Sequence, residues 1–499
     1  MGKSWITPFK KQCFVTLGVS LNVGAHGMTN GYAAILIPQL RLPDSIIPIN
    51  DGSASWIAAI LGFALVAGNF IVPTIMAKYG RRTANIVSIV TMIVGWFCIV
   101  TATNITALLV ARFLQGSAMG MTASLGPVLI GEYTSPQNRG AFLATISLSV
   151  SIGVLFVHTL GSCLHWQVAG LVCACLMFFD LLIVLYSPET PSWLSDQGRY
   201  EESEKVFRWL RGDNEDEELK RMIESSMITK ESRAAVNISE SFSKRLRNNL
   251  VYFTTTIQKK EFYKPIFIMV HIYTLSQWGG ANILAAYTID VFSNVIGNKF
   301  DIYLMVITLG TQRIISNAMA VYIIKKVKRR TMLLATVGIN ITACLTLAAY
   351  TYLKAHNMLP FDLPIIGVLL IHIHMFTIAT GTVPLPFIIA GEVFPLEYRS
   401  LAGSISIFFL SANFFINVKT FPYFLQTISI YGAYLVYTAI VGYCLLIAYF
   451  FLPETKDRTL QEIEDEFRGR PLSPEELKST QSLTANSYNQ DRRCSAPAI

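Results

Sequence analysis

Two glutamate–arginine pairs carry the most legible chemistry in this sequence. Glu132 is followed by Arg139, and Glu392 by Arg399, each pair lying in a short polar turn that ends a long apolar stretch. Arg81 and Arg82, in the string GRRT, return as Arg329 and Arg330 in KRRT, and the string PET at Pro188–Thr190 returns at Pro453–Thr455. Acids and bases so placed can form ion pairs that break and re-form, the chemistry of a gate rather than of a catalyst. The plainer reading of the same residues is membrane anchoring plus helix capping. No phosphate-binding loop, metal cluster or nucleophile–base set accompanies them, so neither an ATP-driven pump nor a membrane enzyme is expected, and no cofactor. His372 and His374 are two apart, on different sides of a helix, and make no one-face metal site. Three short matches recurring in one order point to an internal duplication.

The elements that must position these charges are membrane helices. Of 499 residues, 52% are hydrophobic and 14% charged, whereas a soluble domain carries about a quarter charged residues. Apolar stretches of roughly 20 residues, enough to cross a ~30 Å hydrocarbon core, recur from end to end. They place spans at about 13–37, 54–77, 84–103, 105–131, 141–163 and 166–187, then 264–291, 301–324, 331–352, 363–391, 401–423 and 430–452. Lipid demands helices, because backbone polar groups there must be satisfied within the segment. The basic N-terminus leads into an apolar run too long for a signal peptide, so it reads as the first span. The chain thus divides into two copies of one membrane unit, 1–187 and 264–452, joined by a polar linker, 188–263, and followed by a tail, 453–499.

Orientation follows from lysine and arginine. Lys78, Arg81 and Arg82 separate spans two and three, and Lys325, Lys326, Lys328, Arg329 and Arg330 separate spans eight and nine. The opposite loops hold only Arg41, Lys299 and Lys354, so both termini and the linker are expected in the cytoplasm, with the chain in the plasma membrane. This topology accounts for the net charge of +8, and no basic-aromatic module suggests nucleic acid as a partner; the lipid bilayer is the partner implied. Trp5, Trp56, Trp166 and Trp193 fall near span ends, as interfacial anchors should. Within the linker, Arg199–Gly212 has helical spacing with Tyr200, Phe207 and Leu210 on one side, and a second short helix follows. These helices lie on the cytoplasmic face or form a regulatory partner site. The Ser-, Asn- and Gln-rich tail after Arg470 reads as disordered.

Several motifs together resemble the sugar porter family of the major facilitator superfamily. They are YGRR at Tyr79–Arg82; Arg112, Gly116, Gly120, Pro127, Glu132, Arg139 and Gly140 in and after span four; and PETPSWL at Pro188–Leu194. SQWGGAN at Ser276–Asn282, VPLPF at Val383–Phe387 and PETKDRTLQEIE at Pro453–Glu464 complete the set, which covers almost the whole chain. PETPSW and VKTF (Val418–Phe421) are most similar to the insect facilitated trehalose transporter-like subgroup. The resemblance implies an all-α membrane protein: twelve transmembrane helices in two pseudo-symmetric six-helix bundles around a midplane substrate site, moving by alternating access. In that scheme Glu132 and Glu392 pair with Arg139, Arg399 and the loop arginines Arg81, Arg82, Arg329 and Arg330, and pairs bridging the halves hold the inner side shut. Gly279-Gly280 and the pair Pro384 and Pro386 break helices where backbone can face a substrate or hinge a gate.

The departures from the family gather at the site. Gln277 and Asn282 remain as ring-hydroxyl partners, but the first span-seven glutamine is Ser276, the span-five glutamine falls on Ser147 and the span-ten tryptophan is Phe387. The aromatic–asparagine pair of span eleven falls on Leu410 and Ser411. Arg313 takes the place of a cavity-facing asparagine, and a charge at membrane depth marks a functional site unless it is paired internally, for which Asp180 is the candidate. His26 replaces the aspartate of proton-coupled relatives, with Arg112 as its neighbour in that scheme; it is a packed neutral histidine or a proton carrier. Ala77 and Lys325 replace two gate acids. The resemblance implies a facilitator for trehalose or a hexose. The alternatives are a proton-coupled or anionic-solute carrier of the same fold, and a non-transporting sensor.

Overall fold

The computed structural model describes residues 7–212, 215–237, 258–297, 301–359, 363–394, 399–456, 458 and 460–470. Span one is Pro8–Gly31 and Ala33–Leu40; spans two to six are Asp51–Tyr79, Arg81–Val100, Ile105–Tyr133, Pro136–Cys163 and Trp166–Tyr186. Span seven comes in three pieces, Lys260–Trp278, Ala281–Ala286 and Thr288–Ile296. Spans eight to twelve are Ile302–Lys326, Arg329–Ala355, Pro364–Val393, Arg399–Thr427 and Ser429–Phe451. Among the described residues ten helices are long and apolar enough to cross a membrane, and spans one and seven fall outside that set. They are the interrupted spans, and span one also buries Asn22, Thr29 and Asn30 on its inner face.

The packing repeats with the sequence. Span one lies on five, two on four, and three on four and six; in the second half seven lies on eleven, eight on ten, and nine on ten and twelve. Between the halves, span two meets eleven and span five meets eight, contacts that exchange under the same repeat. Two six-helix bundles related by pseudo-symmetry follow. Spans one and five approach backbone to backbone: a Cβ on Gly27 would lie 2.0 Å from the Val150 carbonyl oxygen, and one on Gly153 2.0 Å from that of Gly24. Only glycine fits there, the usual device where lipid supplies no hydrophobic drive between helices.

The expected helix breaks occur. Span seven stops at Trp278 and restarts after Gly280, whose φ of 102° lies in the left-handed region. Span ten widens into a π turn, Ile378–Thr382, just before Pro384, which brings no backbone N–H to the ladder.

Among the described residues four peripheral helices gather at one end, here the linker end, the first of them the short Pro191–Asp196. Tyr200–Arg211 buries Phe207 and Leu210, and Gln12 of span one donates to the Leu210 carbonyl at 3.1 Å; Tyr200 is half-buried. The next linker helix, Asp216–Asn237, is longer than expected. Leu460–Arg468 docks beneath span seven, where the Lys264 ammonium donates to the Phe467 carbonyl at 3.0 Å. The tail after Arg470 lies outside the described residues, as does Trp5. Trp166 is buried and so anchors the core rather than an interface, while Trp56 is exposed beneath the Lys419 ammonium.

Candidate substrate site and charge clamps

The interrupted spans deliver amides to the centre. Asn30 of span one donates to Asn282 Oδ1 at 3.3 Å, and Asn282 donates to Gln277 Oε1 at 2.5 Å, a string that crosses from one half to the other. Asn417 of span eleven donates to the Gln277 carbonyl at 2.9 Å, and Asn413 accepts from Trp278 Nε1 at 2.9 Å. A second crossing joins spans five and eight, where Asn317 donates to Ser151, whose hydroxyl in turn donates to the Ser147 carbonyl at 3.1 Å. His158 of span five stands 3.1 Å from the Ala285 carbonyl of span seven. The amide oxygens of Asn30, Asn317 and Asn417 are buried and accept no hydrogen bond from a described residue. Buried acceptors of that kind call for a donor, from ligand or water.

Arg313 borders the same layer. It is 7% exposed, and no hydrogen bond or ion pair joins its guanidinium to a described residue. The proposed internal partner, Asp180, is elsewhere: it is fully buried near Gly18 of span one, with neither carboxyl oxygen bonded to a described residue. No hydrogen bond joins His26 to Arg112 among the described residues, although Arg112 reaches span one a turn beyond His26. Arg112 donates to the carbonyls of Ile57 at 3.1 Å and Thr29 at 2.8 Å and to Gln115 Oε1 at 3.1 Å, so it staples spans one, two and four. Of the other expected site residues, Ser276 is buried and Ser147 half-buried. Phe387 is 52% exposed, with its ring 5.8 Å from that of Tyr273. Ser411 donates to its own helix, at the Ile407 carbonyl, while Asn413 and Asn417 face span seven in its stead.

At the linker end each half carries the same clamp. Arg81 Nε lies 3.3 Å from Glu132 Oε1, and Arg329 Nη2 3.4 Å from Glu392 Oε1. Arg82 Nη2 donates to the Leu185 carbonyl at 2.5 Å and Arg330 Nη2 to that of Tyr449 at 2.6 Å. Sequence reasoning missed two acids. Glu189 accepts the backbone N–H groups of Arg81 and Arg82, both at 3.0 Å, and Glu454 accepts those of Arg329 at 2.8 Å and Arg330 at 3.1 Å. These are the first amides of spans three and nine, orphan donors at a helix N-terminus, where a carboxylate is favoured. The repeated PET string was the available signal. The expected pairing of Glu132 with Arg139 is not made: Glu132 bonds Arg81, and Arg139 Nε is buried without a partner among the described residues. The Arg399 side chain lies outside the described residues.

All these clamp contacts lie within one half. Among the described residues, the pairs that cross between halves lie at the centre and at the end opposite the linker. There Arg41 bonds Asp290 at 3.2 Å across the seam while also holding Asp51 of its own half at 2.9 Å, Gln426 bonds Asp51 at 2.6 Å, and Lys419 bonds Ser55 at 2.7 Å. The bundles are therefore latched opposite the linker, and no described polar pair bridges them at the linker end.

The description "Sugar (and other) transporter" fits residues 20–467. The chain is 27% identical over 473 residues to the facilitated trehalose transporter Tret1 of Apis mellifera ligustica, covering 92% of this chain and 89% of that one. It is 26% identical over 478 residues to Tret1 of Aedes aegypti, covering 95% of this chain but only 57% of that longer relative. The xylose transporter XylE from E. coli, in its inward open conformation, matches with a TM-score of 0.73 at 16% identity, over 91% of this chain and 99% of that one. A match spanning nearly all the helices, joined to twelve spans in two repeating bundles, places the chain in the sugar (and other) transporter family with the major facilitator fold.

Proposed function

We propose that this protein carries a sugar across the plasma membrane by alternating access, as a facilitator. The observation that carries this reading is the central layer of amides with buried, unsatisfied oxygens on Asn30, Asn317 and Asn417, set where the two halves meet. Sugar hydroxyls are donors of the kind these oxygens lack. The family match and the printed names of the trehalose and xylose transporters support the substrate class, with trehalose or a hexose as the cargo. Gln277, Asn282, Ser276, Ser147 and Phe387 flank the cargo; Glu132, Glu392 and the arginines of the clamps move with their own halves. The units are 1–187 and 264–452, with linker 188–263 and tail 453–499. The linker end, which carries Lys78, Lys325, Lys326 and Lys328, faces the cytoplasm, so the latched form is open inward. Carriage of this kind needs no cofactor and makes no covalent bond.

The test is counterflow in proteoliposomes. Vesicles preloaded with unlabelled trehalose or D-glucose should accumulate the labelled sugar transiently, at a rate that an inward proton gradient leaves unchanged. Acceleration by the proton gradient would replace facilitation with symport and return His26 to the mechanism. Failure of every sugar, with protein shown to be folded, would remove the reading.

A further inference from the structure

We infer that the cargo of the central site is a sugar acid, a polyhydroxylated solute bearing one carboxylate that pairs with Arg313. The inference rests on the proposed sugar-carrier reading and narrows its substrate class. A buried cation in a bundle core is costly unless an anion meets it, and protein structures supply one where they can. Here none is supplied. Arg313 is more than nine-tenths buried, and no ion pair or hydrogen bond with a described residue holds it. The acids of the second half that are described near the membrane core are engaged elsewhere: Asp290 with Arg41, and Glu392 with Arg329. Asp180 lies beside span one at Gly18.

The position of Arg313 makes this more than a structural oddity. It sits on span eight one turn before Asn317, which bonds Ser151 of span five across the seam between the halves. One turn earlier, Gly310 packs directly on Leu155 of span five. Arg313 thus lies on span eight between two contacts with the first half, one turn from the unsatisfied Asn317 oxygen. A planar guanidinium offers two parallel donors that match a carboxylate. The amide oxygens of Asn30, Asn317 and Asn417 would accept from hydroxyls of the same molecule. A bare inorganic anion would satisfy the first demand and leave the second unmet; a neutral sugar would do the reverse.

The experiment uses the full chain in proteoliposomes, with D-glucuronate, D-glucose and chloride as probes. Labelled D-glucuronate should show counterflow, compete with D-glucose, and enter faster when a potassium diffusion potential makes the lumen positive, because a uniported anion carries charge. Arg313→Gln should lower the ratio of D-glucuronate to D-glucose exchange by roughly 10–100-fold, the span expected for a lost charge-assisted pair. Arg313→Lys should recover part of it. Should Arg313→Gln fail to fold, competition and potential dependence in the unaltered protein decide. Exchange of D-glucose that D-glucuronate does not inhibit overturns the inference and leaves the sugar carrier standing. Chloride flux without D-glucuronate exchange also overturns it. Silence with both sugars removes the parent reading as well.

Discussion

The clamp at the linker end makes a quantitative claim about Glu189. Its carboxylate accepts from Arg81 N and Arg82 N at 3.0 Å and from Thr190 N at 2.8 Å, tying the start of span three to the end of span six. Glu189→Gln keeps the shape and removes the charge. A bond to a charged acceptor contributes about 1.5–3 kcal/mol and a neutral one about 0.5–1.5, so each of the two span-three amides loses roughly 1 kcal/mol. The helix-terminus attraction contributes a further ~0.3–1 kcal/mol. Glu189 is only half-buried, and solvent screening trims the total to about 2 kcal/mol. For a unit the size of one half, that corresponds to a fall in melting temperature of about 4–8 °C in purified protein. Glu454→Gln should cost the same, and the double variant should be additive, because the two clamps share no residue. Gly80→Ala gives an independent route to the same contact: φ there is 103°, and a Cβ would lie 2.2 Å from Glu189 Oε2, so the carboxylate must leave. Lys328, the equivalent position in the second half, has φ −63°, and Lys328→Ala should be silent. An unchanged melting temperature in Glu189→Gln would refute the clamp. A transport defect at full stability would show instead that Glu189 acts in the motion.

Other perturbations separate latch, staple and site. Arg41→Ala removes one inter-half ion pair, that to Asp290, worth at most about 1 kcal/mol, so spin-label distances across the end opposite the linker should show the open-inward population falling by up to about fivefold against the alternative; no change in those distances would mean that the motion is set elsewhere. Arg112→Gln breaks the buried staple to Ile57 and Thr29 and should cost about 3–5 kcal/mol, seen as loss of monodisperse protein, whereas His26→Gln should fold normally. Asn282→Ala cuts the string between Asn30 and Gln277 and should weaken sugar exchange by roughly tenfold without changing the melting temperature.

How much of this was legible in the sequence depended on whether a contact leaves a side-chain pattern. The repeat of GRRT and of Glu132 in Glu392 announced two equivalent ends, and the arginine–glutamate clamps are indeed equivalent. The glutamates of the PET strings were visible, but their partners are backbone amides, which every sequence possesses, so their role was not. The helix breaks at Gly279-Gly280 and before Pro384 were legible because glycine and proline act locally. The centre was not. Asn30, His158, Asn317 and Asn417 are single polar residues in apolar helices, and only the rotation of each helix decides whether they face a partner, lipid or one another. The same limit misdirected Arg313 toward Asp180: both lie at membrane depth, yet they face different seams.

The clamps and the centre differ in a way that bears on how the protein moves. Every clamp contact is internal to one half and is matched by its counterpart in the other, so rocking the halves neither makes nor breaks it. The contacts that must be exchanged are the crossing ones, among the described residues Asn30–Asn282, Asn317–Ser151, His158–Ala285, Arg41–Asp290, Gln426–Asp51 and Lys419–Ser55. Their sum has to stay within a few kcal/mol for both end states to be populated. Neutral amide bonds and exposed ion pairs satisfy that limit. A strong buried ion pair across the seam would not. An Arg313 left without a protein carboxylate therefore fits a carrier whose strongest crossing contact is supplied by the cargo and removed when the cargo leaves.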